Sequence, residues 1–382
     1  MIELTGQLVQ KVQFNGVYNA IRKSTSIEPL PDGHLYSSRL IFDLQGKIKQ
    51  SDKQSRWVER RVQRYIFGKP VSGANFSVEV NVETDSVIII NTLDYCFGHS
   101  LDKLFNLQRY LANYPEMGII VIVHPGWKHL IPVGVAEIWT VDCHFSDLDH
   151  QLEGFDAFIK AQLPKYKRVF WGQTRMNLNL DTIEIERFSN VKPRAKEDIF
   201  KKSARITFVL REDRFWLRSS FSNFMYKAST KLNLKKICKP YFLFSQKHNV
   251  KSLIRKLRRV DPGCKFTLAG LGRSGNFEKS IKDLRCNYET YIDQGFERSR
   301  LYADSDMVIG VHGSHMMIPS GLAGSFINLT PSFKIETFGQ DFIPKYKTTQ
   351  HQIFFGRFLP ISTPIKDIVK HYLSIKSGMS HL

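Results

Sequence analysis

No run of about 18 apolar residues occurs in this sequence, which argues against a membrane-spanning helix. The first residues, "MIELTGQLVQKVQF", lack a basic stretch followed by an apolar core, so no secretory leader is expected. Cysteine is scarce: Cys96, Cys143, Cys238, Cys264 and Cys286 are odd in number, widely spaced and contain no CxxC pair. A disulfide framework and a cysteine zinc site are thereby disfavoured, and the expected setting is a reducing cytoplasm. Low-complexity tracts and repeats of solenoid period are absent too, so nearly all of the chain is expected to fold. Acidic residues are rarest in one place: residues 201–260 hold 17 Lys and Arg against 2 Asp and Glu, which concentrates much of the net charge of +19 there. Such a field favours an anionic partner, be it nucleic acid, an acidic membrane face or a phosphorylated small molecule. A solvated basic helix accounts equally well for "KSLIRKLRR", whose Leu253, Ile254 and Leu257 mark a core-facing side.

What is present reads as two α/β halves, as a chain of 382 residues allows, since single cores stop growing at about 250–300 residues. In the first half "SVIIIN" (86–91) is a buried strand, "HSLDKLFNLQRYLANYP" a helix closed by Pro115, and "MGIIVIVH" (117–124) a second buried strand. That order is a βαβ unit and implies a parallel sheet. "VAEIWTVD" and "RVFWG" add strands, with a helix around 148–161 between them. The first sixty residues resist assignment. Weak periodicity over 172–203 places the connection there. The expected domains are therefore 1–180, a linker over 181–203, an α/β domain over 204–345, and a tail with a helix over 346–382. In the second half the alternation restarts: "ARITFVLR" a strand, "LRSSFSNFMYKAST" a helix, "PYFLFS" a strand, "NVKSLIRKLRRV" a helix and "CKFTLAG" a strand. "FEKSIKDLR" follows as a helix, "NYETYI" as a strand, "FERSRLYADS" as a helix, "DMVIGVH" as a strand, "MMIPSGLAG" as a short helix and "SFINLT" as a strand. This is the pattern of a doubly wound domain. "TPIKDIVKHYLSIKSG" opens a helix expected to pack back onto the first domain.

Ligands of open parallel sheets sit beyond the carboxyl ends of the strands. "DMVIGV" ends at Val311, so His312, Gly313 and Ser314 lie at that edge and open the next helix, where free N–H groups and a glycine suit a phosphate. His312 can donate to a phosphate or sugar hydroxyl, and Ser314 can donate or cap; for the triplet alone, a tight turn with a capping serine is the plainer reading. Other strand ends add Arg211 and Arg214, Lys247, and Arg273 within "GLGRSG". Arginine suits a bidentate grip on a diphosphate. Glu336, after the last strand, can accept from ribose hydroxyls or be a solvated loop residue.

These stretches, "FVLREDR", the glycine-rich edge and "LYADSDMVIGVHGSHMMIPSGLAGSFINLTP", resemble the carboxyl-terminal domain of GT-B glycosyltransferases, most nearly the family-61 type with its hallmark IGxHGAGLxN. "DYCFGHSLDKLFNL" is similar to that family's amino-domain motif of a histidine followed by an acidic residue on a helix. The chain departs from the hallmark at "HGSHMMIPS". The resemblance spans roughly residues 85–335. It implies two Rossmann-like domains facing a cleft, and transfer of a sugar from a nucleotide-diphosphate donor to a glycan or lipid-linked acceptor in surface polysaccharide synthesis, metal-independent and inverting. It also implies a base in the first domain, Asp102 first and His99 second, and a donor grip from Arg211, Arg214, His312, Gly313 and Ser314, then Lys247 and Arg273. Asp102 as a helix-start acid and His99 as a structural histidine are the plainer readings. No cofactor beyond the nucleotide sugar is expected.

Two Asp-x-Asp triplets, "DLD" (147–149) and "DSD" (304–306), are candidate metal sites. Asp306 opens a strand at the edge opposite the proposed ligand, Asp304 ends a helix, and Asp147 or Asp149 suits a helix start. His124, His129, His144 and His150 lack zinc spacing, so no metal site is expected. Nucleic-acid binding is an alternative suggested by the charge and by Phe215, Trp216, Phe221, Phe224 and Tyr226, though no such motif is present. A pyruvyl-type or phosphoglycosyl transferase on the same scaffold is another. A lipid-linked acceptor would give the basic strip a role, with about 1 kcal/mol of attraction per basic residue at an anionic membrane and a location at the inner membrane face.

Overall fold

The computed structural model describes residues 1–4, 6–37, 39–52, 56–176, 182–341, 343 and 355–379. The chain is mixed α/β and divides into two compact units, Met1–Asn179 and Leu180–Leu382. The boundary expected between 345 and 346 lies outside the described residues. Among the described residues no helix is long and apolar enough to cross a membrane.

The first unit is built on a sheet whose spatial order is Ile2–Glu3, Arg168–Gly172, Ser86–Asn91, Gly118–Val123, Glu137–Asp142, Asn75–Val80. The four inner strands run parallel and the two outer ones antiparallel. Ser86–Asn91 and Gly118–Val123 are continuous apolar runs because both faces of a parallel sheet are covered. The helix Phe97–Asn113 joins them as the βαβ pattern requires. A separate antiparallel sheet, running from Val12–Gln13 to Ile48–Ser51, occupies the segment the sequence left unassigned. Its strands are two to four residues long, too short to show a period of two. Its Val12, Ala20 and Phe42 nevertheless share one core with Trp139 and Trp171 of the main sheet and with Val58, Val62 and Tyr65 of the helix Arg56–Phe67.

In the second unit the strands, taken in chain order, are strand 1 (Arg205–Arg211), strand 2 (Lys265–Leu271), strand 3 (Lys282–Asp283), strand 4 (Met307–Val311), strand 5 (Ser325–Thr330) and strand 6 (Gly356–Pro360). They lie in the order 3-2-1-4-5-6, all parallel. This is the order of doubly wound nucleotide-binding sheets, and its direction reverses between strands 1 and 4.

Several elements differ from expectation. "PYFLFS" is not a strand but part of the helix Lys235–Val260, because Phe242, Gln246, Asn249, Val250, Leu253, Ile254 and Leu257 keep helical spacing on one buried face. "FEKSIKDLR" forms a turn and the short strand 3 rather than a helix, and "NYETYI" is the helix Tyr288–Asp293, where Asn287 Oδ1 caps Thr290 N–H at 3.1 Å. The C-terminal helix Ile365–Met379 belongs to the second unit. Its stripe of Ile365, Ile368, Val369, Tyr372 and Ile375 enters the core of the second unit with Val250, Leu253 and Leu257. Tyr372 donates to Asp261, and Lys376 pairs with the same carboxylate. Residues 182–203 contribute the helix Ile185–Ser189, packed on the helix Met317–Leu322, and Ile199 in the second core.

Candidate functional site

Each unit gathers polar side chains at the carboxyl edge of its own sheet, where strand order reverses. In the second unit that place is the end of strands 1 and 4, and it brings together Arg211, Arg214, His312, Gly313 and Ser314. Arg211 grips Asp213 with two parallel bonds of 2.7 Å. Burial opposes the charge of Asp213, but the bonds and charge of Arg211, then the charge of Arg214, outweigh it and hold the carboxyl below its ordinary value. Arg214 Nη1 donates to the carbonyl of His312 at 3.2 Å. Gly313 stands at φ +153°, and a Cβ there would come 1.6 Å from Arg214 Nη1. The glycine therefore makes room for a guanidinium at the mouth of the turn.

The expected helix start is altered. Ser314–Met316 is a single 3-10 turn, no side chain caps it, and the helix that follows, Met317–Leu322, has only six residues. The edge therefore offers side chains rather than the dipole of a long helix. His312 is fully buried, its ring edge-on to Phe358 at 5.4 Å, so it lies beneath the turn instead of reaching outward. His315 is the middle residue of the turn and is buried. Burial, then the charges of Arg211 and Arg214, keep its imidazole neutral by holding its pKa well below the ordinary value. Met316 fills the space over Gly310, where a Cβ would sit 2.5 Å from its sulfur. Beside it Asn328 on strand 5, paired in register with Gly310, is wholly buried, and neither polar atom of its amide has a hydrogen-bond partner among the described residues. Such an amide costs about 1–3 kcal/mol unless something else bonds it.

Arg273 follows the end of strand 2. Lys247 is not at a strand end; it sits on the helix Lys235–Val260, with its stem beside Gly275. The glycine-rich edge is already occupied by a carboxylate: Ser274 N–H donates to Glu212 Oε1 at 2.6 Å, and Lys239 pairs with Glu212 Oε2 at 2.7 Å. Asp306 is also committed, accepting from Arg194, as a structural residue would.

In the first unit the parallel strands reverse order between Ser86–Asn91 and Arg168–Gly172. After the first of these comes "TLDYCFGH". Asp94, 1% exposed, accepts from His99 Nδ1 at 3.2 Å and from Cys96 N–H at 3.0 Å. Its other oxygen lies 3.9 Å from Lys103 Nζ, which is also buried and donates to the Leu93 carbonyl at 2.8 Å. Burial opposes ionisation of Asp94, yet the His99 bond, Lys103 and the Cys96 amide outweigh it and keep its pKa low. His34 approaches His99 edge-on, its Nε2 3.3 Å from each ring nitrogen. After the second strand Thr174 donates to Asp32 from its amide, at 2.8 Å, and from its hydroxyl. Burial raises the Asp32 carboxyl against the pull of Lys103 and Thr174.

This places His99 in a role different from its neighbour Asp102. A buried carboxylate fixes the imidazole's tautomer and stabilises it when protonated, while His99 remains 24% exposed and so reachable. Asp102 is the sixth residue of the same helix, half-buried, its carbonyl accepting from Asn106. Sequence reasoning missed Asp94, His34, Asp32 and Lys103. Asp94 lay inside the quoted motif, and "LPDGHLY" carries a turn signature, but nothing local shows that His34 meets His99 65 residues away.

Burial, then the neighbouring His99, depress the pKa of His34 to about 4 from its ordinary 6.5. Between those values the unfolded chain binds a proton that the folded protein refuses, so stability is present above pH 6.5 and is lost as pH falls toward 4. The melting temperature is expected to fall over that window, and less so in His34→Gln; an identical fall in the variant would assign it elsewhere.

Among the described residues no three His, Cys, Asp or Glu side chains gather as metal ligands. No protein-family model matches the chain, and no curated protein is significantly similar to it.

Proposed function

We propose that this chain is a glycosyltransferase that moves a sugar from a nucleotide-diphosphate donor to a glycan or lipid-linked acceptor in surface polysaccharide synthesis. The second unit takes the donor and the first the acceptor. The observation that carries the reading is Arg214 against the Gly313 turn, with Arg211 at the end of strand 1 beside it, at the reversal point of a 3-2-1-4-5-6 sheet.

The chemistry assigns each group a task. His99 accepts the proton of the acceptor hydroxyl, and the Asp94 carboxylate stabilises the resulting imidazolium. As the acceptor oxygen bonds the anomeric carbon, that carbon's bond to the diphosphate oxygen breaks. The negative charge leaving with the diphosphate is met by Arg211 and Arg214.

A thermal-shift series with UDP, GDP, CDP and ADP sugars, each with and without a divalent cation, tests the donor site. One nucleotide is expected to raise the melting temperature of the protein, because a ligand of the native state must stabilise it. Arg214→Ala is expected to weaken that nucleotide by about tenfold to a hundredfold, in keeping with a lost charge-assisted bond. Stabilisation by none of them would remove the donor reading.

A further inference from the structure

From the surface of the second unit we infer a membrane-docking element: the helical hairpin formed by Ser220–Lys231 and Lys235–Val260 seats its outer face on anionic lipid. Docking requires only these helices, whatever group the enzyme transfers.

The hairpin has two apolar faces where one would suffice. Its inner face is satisfied, with Phe242 packed on Phe215 and Leu217, and Tyr226 against them. Its outer face is not. Phe221 is 63% exposed, Phe224 66%, Ile237 75% and Phe244 68%, with Leu232, Leu234 and Tyr241 exposed beside them. Ile237, Tyr241 and Phe244 recur at helical spacing, so they form a stripe on the long helix distinct from the buried one. The Phe221 ring meets Tyr241 edge-on, which joins the outer faces of the two helices. A cavity of about 700 Å³ beyond strands 5 and 6 extends the same face: Phe224 shares its wall with Phe333 and Ile335, both exposed. Single exposed apolar residues are ordinary, but a contiguous group of large ones marks an interaction surface.

The charge selects the occupant. From Arg218 to Val260 there are twelve Lys and Arg and not one Asp or Glu. Lys227, Lys231 and Lys235 line the same cavity as Phe224. Lys239 is held by Glu212, whereas Lys227, Lys231, Lys235 and Lys236 have no carboxylate partner among the described residues. Apolar side chains ringed by uncompensated lysines match the boundary of an anionic bilayer, where rings enter the acyl edge and ammonium groups meet phosphates. The aromatics first weighed as nucleic-acid contacts divide accordingly: Phe215 and Trp216 are buried, and Phe221 and Phe224 face out.

Vesicle co-sedimentation of the full chain tests this with phosphatidylcholine alone and with phosphatidylglycerol added. The protein is expected to pellet with the anionic vesicles and remain in solution with the neutral ones. Lys231→Glu/Lys235→Glu/Lys236→Glu should reduce partition by roughly a hundredfold. Phe221→Ser/Phe224→Ser/Ile237→Ser/Phe244→Ser should leave weak binding that salt removes, where the parent resists salt. Both sets alter exposed side chains, and an unchanged melting temperature verifies folding. No binding to anionic vesicles, or binding that neither set alters, overturns the assignment. So does a dimer that the serine variant dissociates in the absence of vesicle binding, or retention by RNA but not by lipid. Donor stabilisation in the thermal-shift series is read separately, so either reading can fail alone.

Discussion

Asp306→Ala is expected to lower the stability of the second unit by about 3–5 kcal/mol, the range for leaving a buried charge without its partner. Asp306 is 1% exposed and its two oxygens serve four donors. Arg194 Nη2 and Nε reach Oδ1 at 2.7 and 3.1 Å, Phe200 N–H reaches it at 3.2 Å, and Arg205 N–H reaches Oδ2 at 2.8 Å. The carboxylate thus ties residues 194–200 to the start of strands 1 and 4. Alanine would remove the acceptor of two amides and the carboxylate partner of a largely buried guanidinium, which keeps its bond to the Asp198 carbonyl. Asp306→Asn keeps one acceptor and should cost about half as much. Urea titration monitored by amide exchange in Arg205–Arg211 provides the measurement, and a loss below about 1 kcal/mol in the alanine variant would show that the ion pair contributes little.

His99→Gln should reduce turnover by about 10²–10⁴-fold, the usual contribution of a positioned general base, with donor affinity unchanged. Asp94→Asn should also reduce turnover strongly, because the amide no longer fixes the tautomer or stabilises the imidazolium. Asp102→Asn separates the two candidates on the helix. It should lower turnover only a few-fold, whereas loss of activity in Asp102→Asn with His99→Gln active would restore the assignment suggested by family spacing. Turnover at saturating donor, beside a separate measurement of donor binding, resolves chemistry from affinity.

The sequence revealed the strands best where burial leaves a continuous apolar run, as in Ser86–Asn91 and Gly118–Val123. It failed at "PYFLFS", where a run of six apolar and small residues fits a strand or a helix turn equally, and only the spacing that continues to Leu257 decides. The C-terminal helix displayed its stripe plainly, but a stripe does not say which core will receive it. The candidate sites divide the same way. The position of Arg211, Arg214 and Gly313 at one sheet edge was legible because each ends or follows a recognisable strand. The burial of His312, the Glu212 carboxylate seated in the glycine loop, and the meeting of His34 with His99 depend on segments far apart in the chain, so no window of sequence contains them.

The 3-2-1-4-5-6 order also sets a timetable. Ile206 on strand 1 pairs with Phe266 on one side and with Met307 on the other. At ordinary rates of synthesis the second of these neighbours leaves the ribosome about 5–20 s after strand 1. Until it does, one edge of an apolar strand at the centre of the future sheet is open, and pairing it at last closes a loop of roughly a hundred residues, a slow step. The later half of this chain is therefore the half whose yield should depend most on chaperones that hold nascent strands apart.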